Sequence, residues 1–273
     1  MAEPIRTFAQ TITDAVADFA TFGYDSEERL ERWLAEIRLA AERDLVPESV
    51  LEQGLRDTFG AVYRRQVEAG GLLRTHAVDR YTLERVKPHL RAELDRRILA
   101  SAQLIRSNRE QAIAETLRRF SGWATSIPVG GDEDLARRPV KSDIRKALAS
   151  LPFVERRCAI DQGQKFAANL SDILATDGGA IAFEWEHHYV RYPRPEHVAR
   201  HGKFYLIRDS WAHKAGLVRP GKSGYSDEVS RPGIEILCRC TARYAYSISR
   251  LPPEMLTAKG AAELARVRTE MAA

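Results

Sequence analysis

Apolar residues recur every three or four positions in the first part of the chain, a spacing that predicts amphipathic helices. The first apolar stripe runs through Ile5, Phe8, Ile12, Val16, Phe19 and Phe22. Gly23 follows this stripe and is placed to end the helix. Asp25 and Glu28 then match a capping box, which predicts a second helix. The stripe of that helix comprises Leu30, Trp33, Leu34, Ile37 and Leu45.

Further helices are predicted between segments rich in glycine and proline. A third runs from Val50 to Ala69, a long one from Tyr81 to Phe120, and a helix pair from Ser142 to Leu174. The segment from Ser126 to Pro139 combines proline, two adjacent glycines and acidic residues. This composition is typical of a loop or hinge, and it predicts a boundary between two domains.

The hydrophobic period changes near residue 180. Ile181, Phe183 and Trp185 alternate with residues of the opposite face, which predicts a half-buried strand. Strand-like runs follow at Phe204 to Arg208 and at Ile234 to Tyr246. The chain is therefore expected to be an α+β protein, with an elongated, mainly helical amino-terminal region and a small α+β domain that carries a short antiparallel sheet. The expected bounds are residues 1–125 for the helical region, 126–140 for a linker, 141–250 for the α+β domain and 251–273 for a helical or frayed tail.

Composition narrows the class of protein further. Three cysteines in 273 residues, two of them separated by one residue, do not form a disulfide framework, so a reducing cytosol is expected. The first residues lack a signal-peptide pattern, and no stretch approaches the roughly 20 apolar residues that cross a bilayer, so no membrane association is expected. The net charge of +4 is too small to predict a nucleic-acid binder by itself.

The second half of the chain carries an ordered set of residues. In sequence, the set is Arg156-Arg157-Cys158-Ala159-Ile160-Asp161-Gln162 with Lys165 and Asn169, a strand, Pro195-Glu196-His197, Gly202-Lys203-Phe204, Pro232 and Cys238-Arg239-Cys240. Over roughly residues 140–250 this order resembles the Mu-F-like phage head morphogenesis family. One position departs from it, since members often have a histidine before the proline where this chain has Arg231. His201 is a candidate replacement for that histidine.

The resemblance implies a structural role rather than an enzymatic one. Members are minor head proteins of tailed bacteriophages, associated with the portal vertex and the head interior, where they assist head assembly and attend packaged DNA. The implied partners are the portal protein and the major capsid or scaffold protein, and the implied location is the virion, after assembly in the host cytoplasm.

Zinc is one hypothesis for the histidines and cysteines of this region. Two imidazoles and two thiolates, from His197, His201, Cys238 and Cys240, satisfy tetrahedral coordination. The His-x3-His spacing suits zinc, whereas Cys-x-Cys in a strand lacks the usual turn between ligands. The alternative is that both cysteines are buried small apolar residues and that no cofactor is bound.

Catalysis is a weaker hypothesis. Glu184 and Glu186, with the nearby histidines, offer general acids and bases for a nuclease or transferase, but a solvated strand face accounts for both carboxylates. The chain has no phosphate-binding glycine loop, nucleophile elbow or paired acidic metal site of recognised spacing. We therefore expect no enzyme.

DNA contact is the third hypothesis. Residues 186–222 hold eight basic against three acidic residues, with aromatic residues between them, and such a surface suits phosphates and exposed bases. The basic residues are Arg191, Arg194, Arg200, Lys203, Arg208, Lys214, Arg219 and Lys222. A solvated, arginine-rich loop is the alternative. The zinc and DNA hypotheses together leave open a DNA-binding or zinc-stabilised adaptor protein as the alternative to a head protein.

The helical region raises a fourth hypothesis, protein docking. Trp33, Phe59, Tyr63 and Trp123 are candidates for a partner surface, although aromatic residues at helical spacing are usually core. The long helix is expected to expose its arginines, as a connector does. These are Arg91, Arg96, Arg97, Arg106, Arg109, Arg118 and Arg119.

Overall fold

A computed structural model describes residues 5–272. The α-helices are α1 (Phe8–Phe22), α2 (Glu27–Asp44), α3 (Glu48–Tyr63), α4 (Gly71–His76), α5 (Arg80–Ala124), α6 (Arg138–Asp177), α7 (Pro195–Arg200), α8 (Trp211–Lys214) and α9 (Ala258–Ala272). The strands are β1 (Ala182–Glu186), β2 (Phe204–Leu206) and β3 (Thr241–Ala245). The predicted α+β class, with a long helical amino-terminal region and a small antiparallel sheet, is confirmed.

Local sequence explains where the first helices begin. Thr7 caps α1 in a reciprocal box, because its hydroxyl accepts from the Gln10 N–H and the Gln10 side chain accepts from the Thr7 N–H. The predicted box for the second helix is wrong by one residue, since Ser26 is the cap and accepts from the Arg29 N–H. Asp25 instead forms an ion pair of 3.2 Å with Arg29.

Two prolines lie inside helices without ending them. Pro88 lies within α5 and Pro152 within α6, so the predicted helix pair is one continuous helix. Proline removes one backbone hydrogen bond and bends a helix, but packing of the apolar face offsets that cost. The third predicted helix divides into α3 and a π-helical turn, Arg64–Glu68.

The chain forms two compact units, each built from two separate segments. The first unit comprises Met1–Leu55 and Leu99–Ala159, and the second comprises Arg56–Ile98 and Ile160–Ala273. In the first unit, Phe19 and Phe120 meet edge to face with centroids 5.7 Å apart, within a core that includes Trp33. The Trp33 indole N–H donates to Asp18 at 2.7 Å.

The predicted linker lies within the first unit and is held against α1. Asp132 N–H donates to the Ala20 carbonyl at 2.7 Å, and Gly130 N–H donates to the Phe22 carbonyl at 3.2 Å. Gly131, with φ of 79°, passes so close to α1 that a Cβ would lie 2.3 Å from the Ala20 oxygen. The glycines therefore permit close backbone approach rather than a hinge, and the unit boundaries differ from the predicted ones.

The aromatic residues proposed for docking pack inward. Trp33, Phe59 and Tyr63 are buried, and Trp123 packs, partly buried, on the core of the first unit. Two arginines expected on the exposed sides of α5, Arg97 and Arg109, are also largely buried. Burial of these groups favours a structural role for them.

The second unit contains the sheet, in the order β2-β1-β3, with β1 antiparallel to both neighbours. Phe183 pairs with Tyr205 on one side and Tyr244 on the other. One cluster of buried side chains joins Phe183 and Trp185 to Cys238 and Cys240. The cysteines thus lie against the sheet, and this contact positions the candidate site.

Candidate metal centre

His197 enters the site from the short helix α7. Pro195 occupies the first turn of this helix, where proline is tolerated, and the His197 N–H donates to the Arg194 carbonyl at 3.0 Å. The His197 side chain is only 3% exposed, and its ring meets Trp185 edge to face with centroids 5.2 Å apart. The imidazole is therefore held inside the second unit.

The Cys-Arg-Cys triplet precedes strand β3 rather than lying within it, so the predicted strand alternation is wrong. Cys238 N–H donates to the Glu235 carbonyl at 3.0 Å, which closes a tight turn. Leu237 takes the left-handed conformation in this turn, with φ of 55°. The chain therefore makes a turn next to the two cysteines, which the sequence pattern did not predict. This turn brings both thiols to one side.

His197 Nδ1 lies 3.5 Å from Cys238 Sγ and 3.6 Å from Cys240 Sγ. All three ligand atoms lie within 4.8 Å of one another, and all three residues are buried. Tetrahedral zinc with ordinary bond lengths places nitrogen and sulfur about 3.6 Å apart. The three side chains therefore have the spacing of zinc ligands.

The structure does not bring His201 to this cluster. The helix α7 ends at Arg200, so His201 leaves the helical path and the four-residue spacing no longer places it beside His197. His201 is exposed, and its Nδ1 accepts from the His187 N–H at 3.2 Å. The prediction of His201 as a ligand is therefore wrong for this structure.

Glu235, which the sequence pattern did not single out, faces the far side of the His197 ring. Its Oε1 lies 3.2 Å from His197 Nε2, the nitrogen that points away from the thiols. The Ser230 hydroxyl, which donates to Glu235, holds the pKa of that carboxyl below its usual range. A carboxylate on the outer nitrogen of a histidine is the usual arrangement behind a metal-binding imidazole.

Burial raises the pKa of the Cys240 thiol to about 11, and Cys238 acts in the same direction. The Trp185 indole N–H and the His188 backbone N–H lower that pKa, as donors to a thiolate do. Trp185 Nε1 is buried close to this thiol, but it makes no hydrogen bond of ordinary geometry to another described residue. A thiolate at Cys240 is the acceptor that this donor lacks.

The two cysteines line a cavity of about 1030 Å³ in the second unit. His76, also on its wall, accepts or donates hydrogen bonds of 2.6 Å to Tyr246 OH through Nδ1 and to Ser171 Oγ through Nε2. Burial lowers the pKa of His76 to about 4. Nothing in the local sequence marked His76, because its partners lie in distant segments.

Several residues of the ordered sequence pattern hold helices and turns together. Asp161 Oδ1 accepts from the Leu237 N–H at 2.6 Å, and Lys165 Nζ donates to Asp161 Oδ2 at 2.7 Å. On the same helix, Gln162 accepts from Arg97 at 2.8 Å and Asn169 donates to Glu93 at 2.9 Å, and both partners lie on α5. Arg231, the departure from the family pattern, forms an ion pair with Asp172 rather than joining the cluster.

The carboxylates considered for catalysis are paired across the sheet. Arg243 of β3 forms ion pairs with Glu186 and, at 3.6 Å, with Glu184 of β1. Cross-strand pairing of opposite charges explains both carboxylates on the partly exposed face.

The basic residues considered for DNA contact differ in their surroundings. Arg194 lies 3.7 Å from Glu235, Arg208 contacts Asp227 and Glu228, and Lys214 lies 4.0 Å from Asp209. Arg200 lies over the Trp185 ring at 4.9 Å, and the Arg219 guanidinium donates to the Glu254 carbonyl. The remaining three, Arg191, Lys203 and Lys222, are exposed.

Across residues 5–272, none of the helices combines the length and apolar character needed to cross a bilayer. The resemblance to the Mu-F-like family rests on the sequence pattern. Comparisons of the chain with protein-family models, with curated proteins and with solved structures found no match.

Proposed function

We propose that this chain is a structural minor head protein of a tailed bacteriophage. It acts at the portal vertex and in the head interior, where it assists head assembly and attends packaged DNA. Its partners are the portal protein and the major capsid or scaffold protein. The proposal begins from the ordered residues that resemble the Mu-F-like family.

One observation supports the proposal most. Residues of that pattern that are far apart in sequence meet in space, since Asp161 binds the turn before Cys238 and both cysteines contact His197. Such convergence is expected of a pattern that specifies one folded module. Asp161 pairs with Lys165 of the same pattern, while Gln162 and Asn169 bond Arg97 and Glu93 of α5. These contacts hold the fold together, which favours a structural role for these residues.

Purified particles test this function. In cells that assemble the corresponding heads, we expect mass spectrometry to find the chain in procapsids and mature heads, in fewer copies than the major capsid protein. Deleting the gene should reduce the yield of normal heads in electron micrographs, and supplying the gene in trans should restore it. Absence of the chain from both kinds of particle would overturn the proposal.

Binding of packaged double-stranded DNA is a second candidate function. Arg191, Lys203 and Lys222 are exposed and form no ion pair among the described residues, and Tyr192 beside Arg191 is 80% exposed. Exposed cations are available to the phosphates of the duplex, and the Arg191 guanidinium lies 5.3 Å from the centre of the Tyr192 ring.

Salt titration of DNA binding tests this second function. Replacing Arg191, Lys203 and Lys222 together by alanine should lower the slope of log K against log salt by up to about 3. Arg208→Ala is the matched control, because Arg208 already faces Asp227 and Glu228. A native protein that fails to bind at low salt, or a control that changes the slope equally, would exclude DNA contact through these residues.

A further inference from the structure

We propose that His197, Cys238 and Cys240 bind one Zn²⁺ ion, and that an exchangeable water molecule from the adjoining cavity completes its coordination. The ligand atoms are His197 Nδ1, Cys238 Sγ and Cys240 Sγ. This site is independent of the proposed role in the phage head, because it rests on the three side chains and their surroundings alone.

The spacing of the ligands is the first support. Nitrogen-to-sulfur distances of 3.5 and 3.6 Å match those of a tetrahedral ion bound at ordinary bond lengths. One turn sets this spacing, since the left-handed Leu237 reverses the chain immediately before Cys238. Asp161, on α6, anchors that turn through the Leu237 N–H.

The charge balance of the site favours a divalent ion. Binding of Zn²⁺ displaces one proton from each thiol to solvent, so two thiolates neutralise the ion and no oxidation or reduction occurs. Thiolate and imidazole together select zinc over the hard cations magnesium and calcium. The buried centre thus carries no net charge.

Groups around the ligands fit the bound state. Glu235 Oε1 lies 3.2 Å from His197 Nε2, a buried nitrogen that makes no hydrogen bond to another described residue. A carboxylate at this distance is placed to orient the ring when Nδ1 binds the ion. The Trp185 ring meets the His197 ring with centroids 5.2 Å apart, and its Nε1 is a buried donor that makes no hydrogen bond to another described residue. Glu235 is therefore a positioning residue rather than a ligand.

The fourth coordination position of the ion faces the adjoining cavity. The cluster within residues 5–272 comprises three ligands, and its two cysteines form part of the wall of the cavity of about 1030 Å³. Three protein ligands with an open position are the arrangement of zinc sites that exchange a bound molecule. We therefore expect small neutral donors to replace the water.

Metal analysis of the reduced full-length chain tests the ion. Elemental analysis should find one zinc per chain, and Co²⁺ alone, added after chelation, should give thiolate charge-transfer bands with intense tetrahedral d–d bands. His197→Ala and Cys240→Ser should each weaken zinc binding by at least about 100-fold, and Glu235→Gln by about 10 to 100-fold. His201→Ala is the matched control and should bind as the native chain does.

Three results would contradict the ion, the ligand set or the open coordination position. Absence of zinc and of the Co²⁺ bands from the native chain would overturn the proposal, and this readout does not depend on the folding of a variant. Equal loss in His201→Ala would show a different ligand set. Imidazole should shift the d–d bands of the Co²⁺ protein, and unchanged bands at saturating imidazole would show that the fourth position is closed.

Discussion

The carboxylate of Asp161, on helix α6, accepts a hydrogen bond of 2.6 Å from the backbone N–H of Leu237. Leu237 has φ of 55°, a conformation that costs a non-glycine residue about 1–2 kcal/mol. Lys165 holds the other carboxylate oxygen at 2.7 Å. A helix side chain thus stabilises the strained turn from which Cys238 reaches His197.

Asp161→Ala removes the acceptor for the Leu237 N–H. We expect the free energy of unfolding to fall by about 1–3 kcal/mol, because the N–H loses its partner while the turn stays strained. Asp161→Asn retains an acceptor and should lose less. Urea denaturation of the reduced proteins measures the difference.

Leu237→Gly tests whether backbone strain at Leu237 contributes to the stability of the same turn. Glycine adopts positive φ without a Cβ penalty, so Leu237→Gly should offset part of the loss in an Asp161→Ala background. If the glycine has no such effect, the positive φ at Leu237 carries no measurable strain, and the Asp161→Ala loss reports only the contacts of Asp161 with the Leu237 N–H and with Lys165.

His76 predicts a dependence of stability on pH. Its pKa in the folded protein is about 4, below the ordinary value of 6.5, because burial disfavours the charged ring. Above pH 6.5 both states are neutral and the contribution is constant. As pH falls from 6.5 to 4, the unfolded chain binds a proton that the folded chain does not, so the free energy of unfolding falls by about 3 kcal/mol.

Denaturant titrations between pH 7.5 and pH 4 measure this loss. His76→Gln retains groups able to bond Tyr246 and Ser171 but does not titrate, so its stability should vary less across that window. His201→Gln, at an exposed histidine, should keep the native slope. Identical slopes in His76→Gln and the native protein would contradict the assignment.

A buried network in the second unit predicts strong coupling between Glu93 and Arg97. Glu93 Oε1 lies 3.1 Å from Arg97 and accepts from Asn169 at 2.9 Å, while Arg97 donates to Gln162 at 2.8 Å. Burial raises the pKa of Glu93, but hydrogen bonds from Arg96 and Asn169 outweigh it and the net pKa is lowered. The carboxylate is therefore charged at neutral pH.

Glu93→Ala should cost about 3–5 kcal/mol, because it removes a carboxylate that is paired with the buried Arg97 guanidinium at 3.1 Å. The double variant Glu93→Leu, Arg97→Met removes both charges and should cost less than the sum of the single changes. A double-mutant cycle in urea measures this coupling. Additive losses would show that the two side chains act independently.

Two adjacent glycines, Gly130 and Gly131, allow a matched pair of alanine substitutions in the segment that the sequence predicts to be a loop or hinge. A Cβ at Gly131 would lie 2.3 Å from the Ala20 oxygen, whereas one at Gly130 would meet nothing within 4 Å. Both residues have positive φ, so each alanine carries a backbone penalty of about 1–2 kcal/mol. Gly131→Ala should lose at least about 1 kcal/mol more, through the clash.

Thermal or urea unfolding measures this pair. Equal losses for the two glycine variants would mean that the segment is not held against α1. Gly54→Ala is a useful reference, because Gly54 lies in helix α3 with open space around its Cα and the change should stabilise the chain by up to about 1 kcal/mol.

Periodicity predicted the helices and the strand β1 because most buried side chains of each element lie on one face. Ile12, Val16 and Phe19 are all 0% exposed, as their spacing in α1 requires. The sequence-based expectation failed where a residue acts through a distant partner. The glycines at 130 and 131 resemble a hinge until the carbonyls of α1 are seen beside them.

In the candidate site, too, the sequence predicted some residues and missed those that act through distant partners. His197, Cys238 and Cys240 were predicted together and lie together. His201 was a candidate because the His-x3-His spacing suits zinc, but α7 ends at Arg200 and His201 lies outside the cluster. Glu235 and His76 carried no local signal, since their roles depend on contacts across the fold.

The interleaving of the two units has a consequence for how the chain is made. Residues 56–98 leave the ribosome before residues 99–159, yet their partners within the second unit begin at Ile160. The second unit therefore cannot fold until the last part of the chain has been made, whereas all residues of the first unit are present once Ala159 has emerged. A cut anywhere between residues 56 and 159 separates segments that fold together, so neither half is expected to be an autonomous protein.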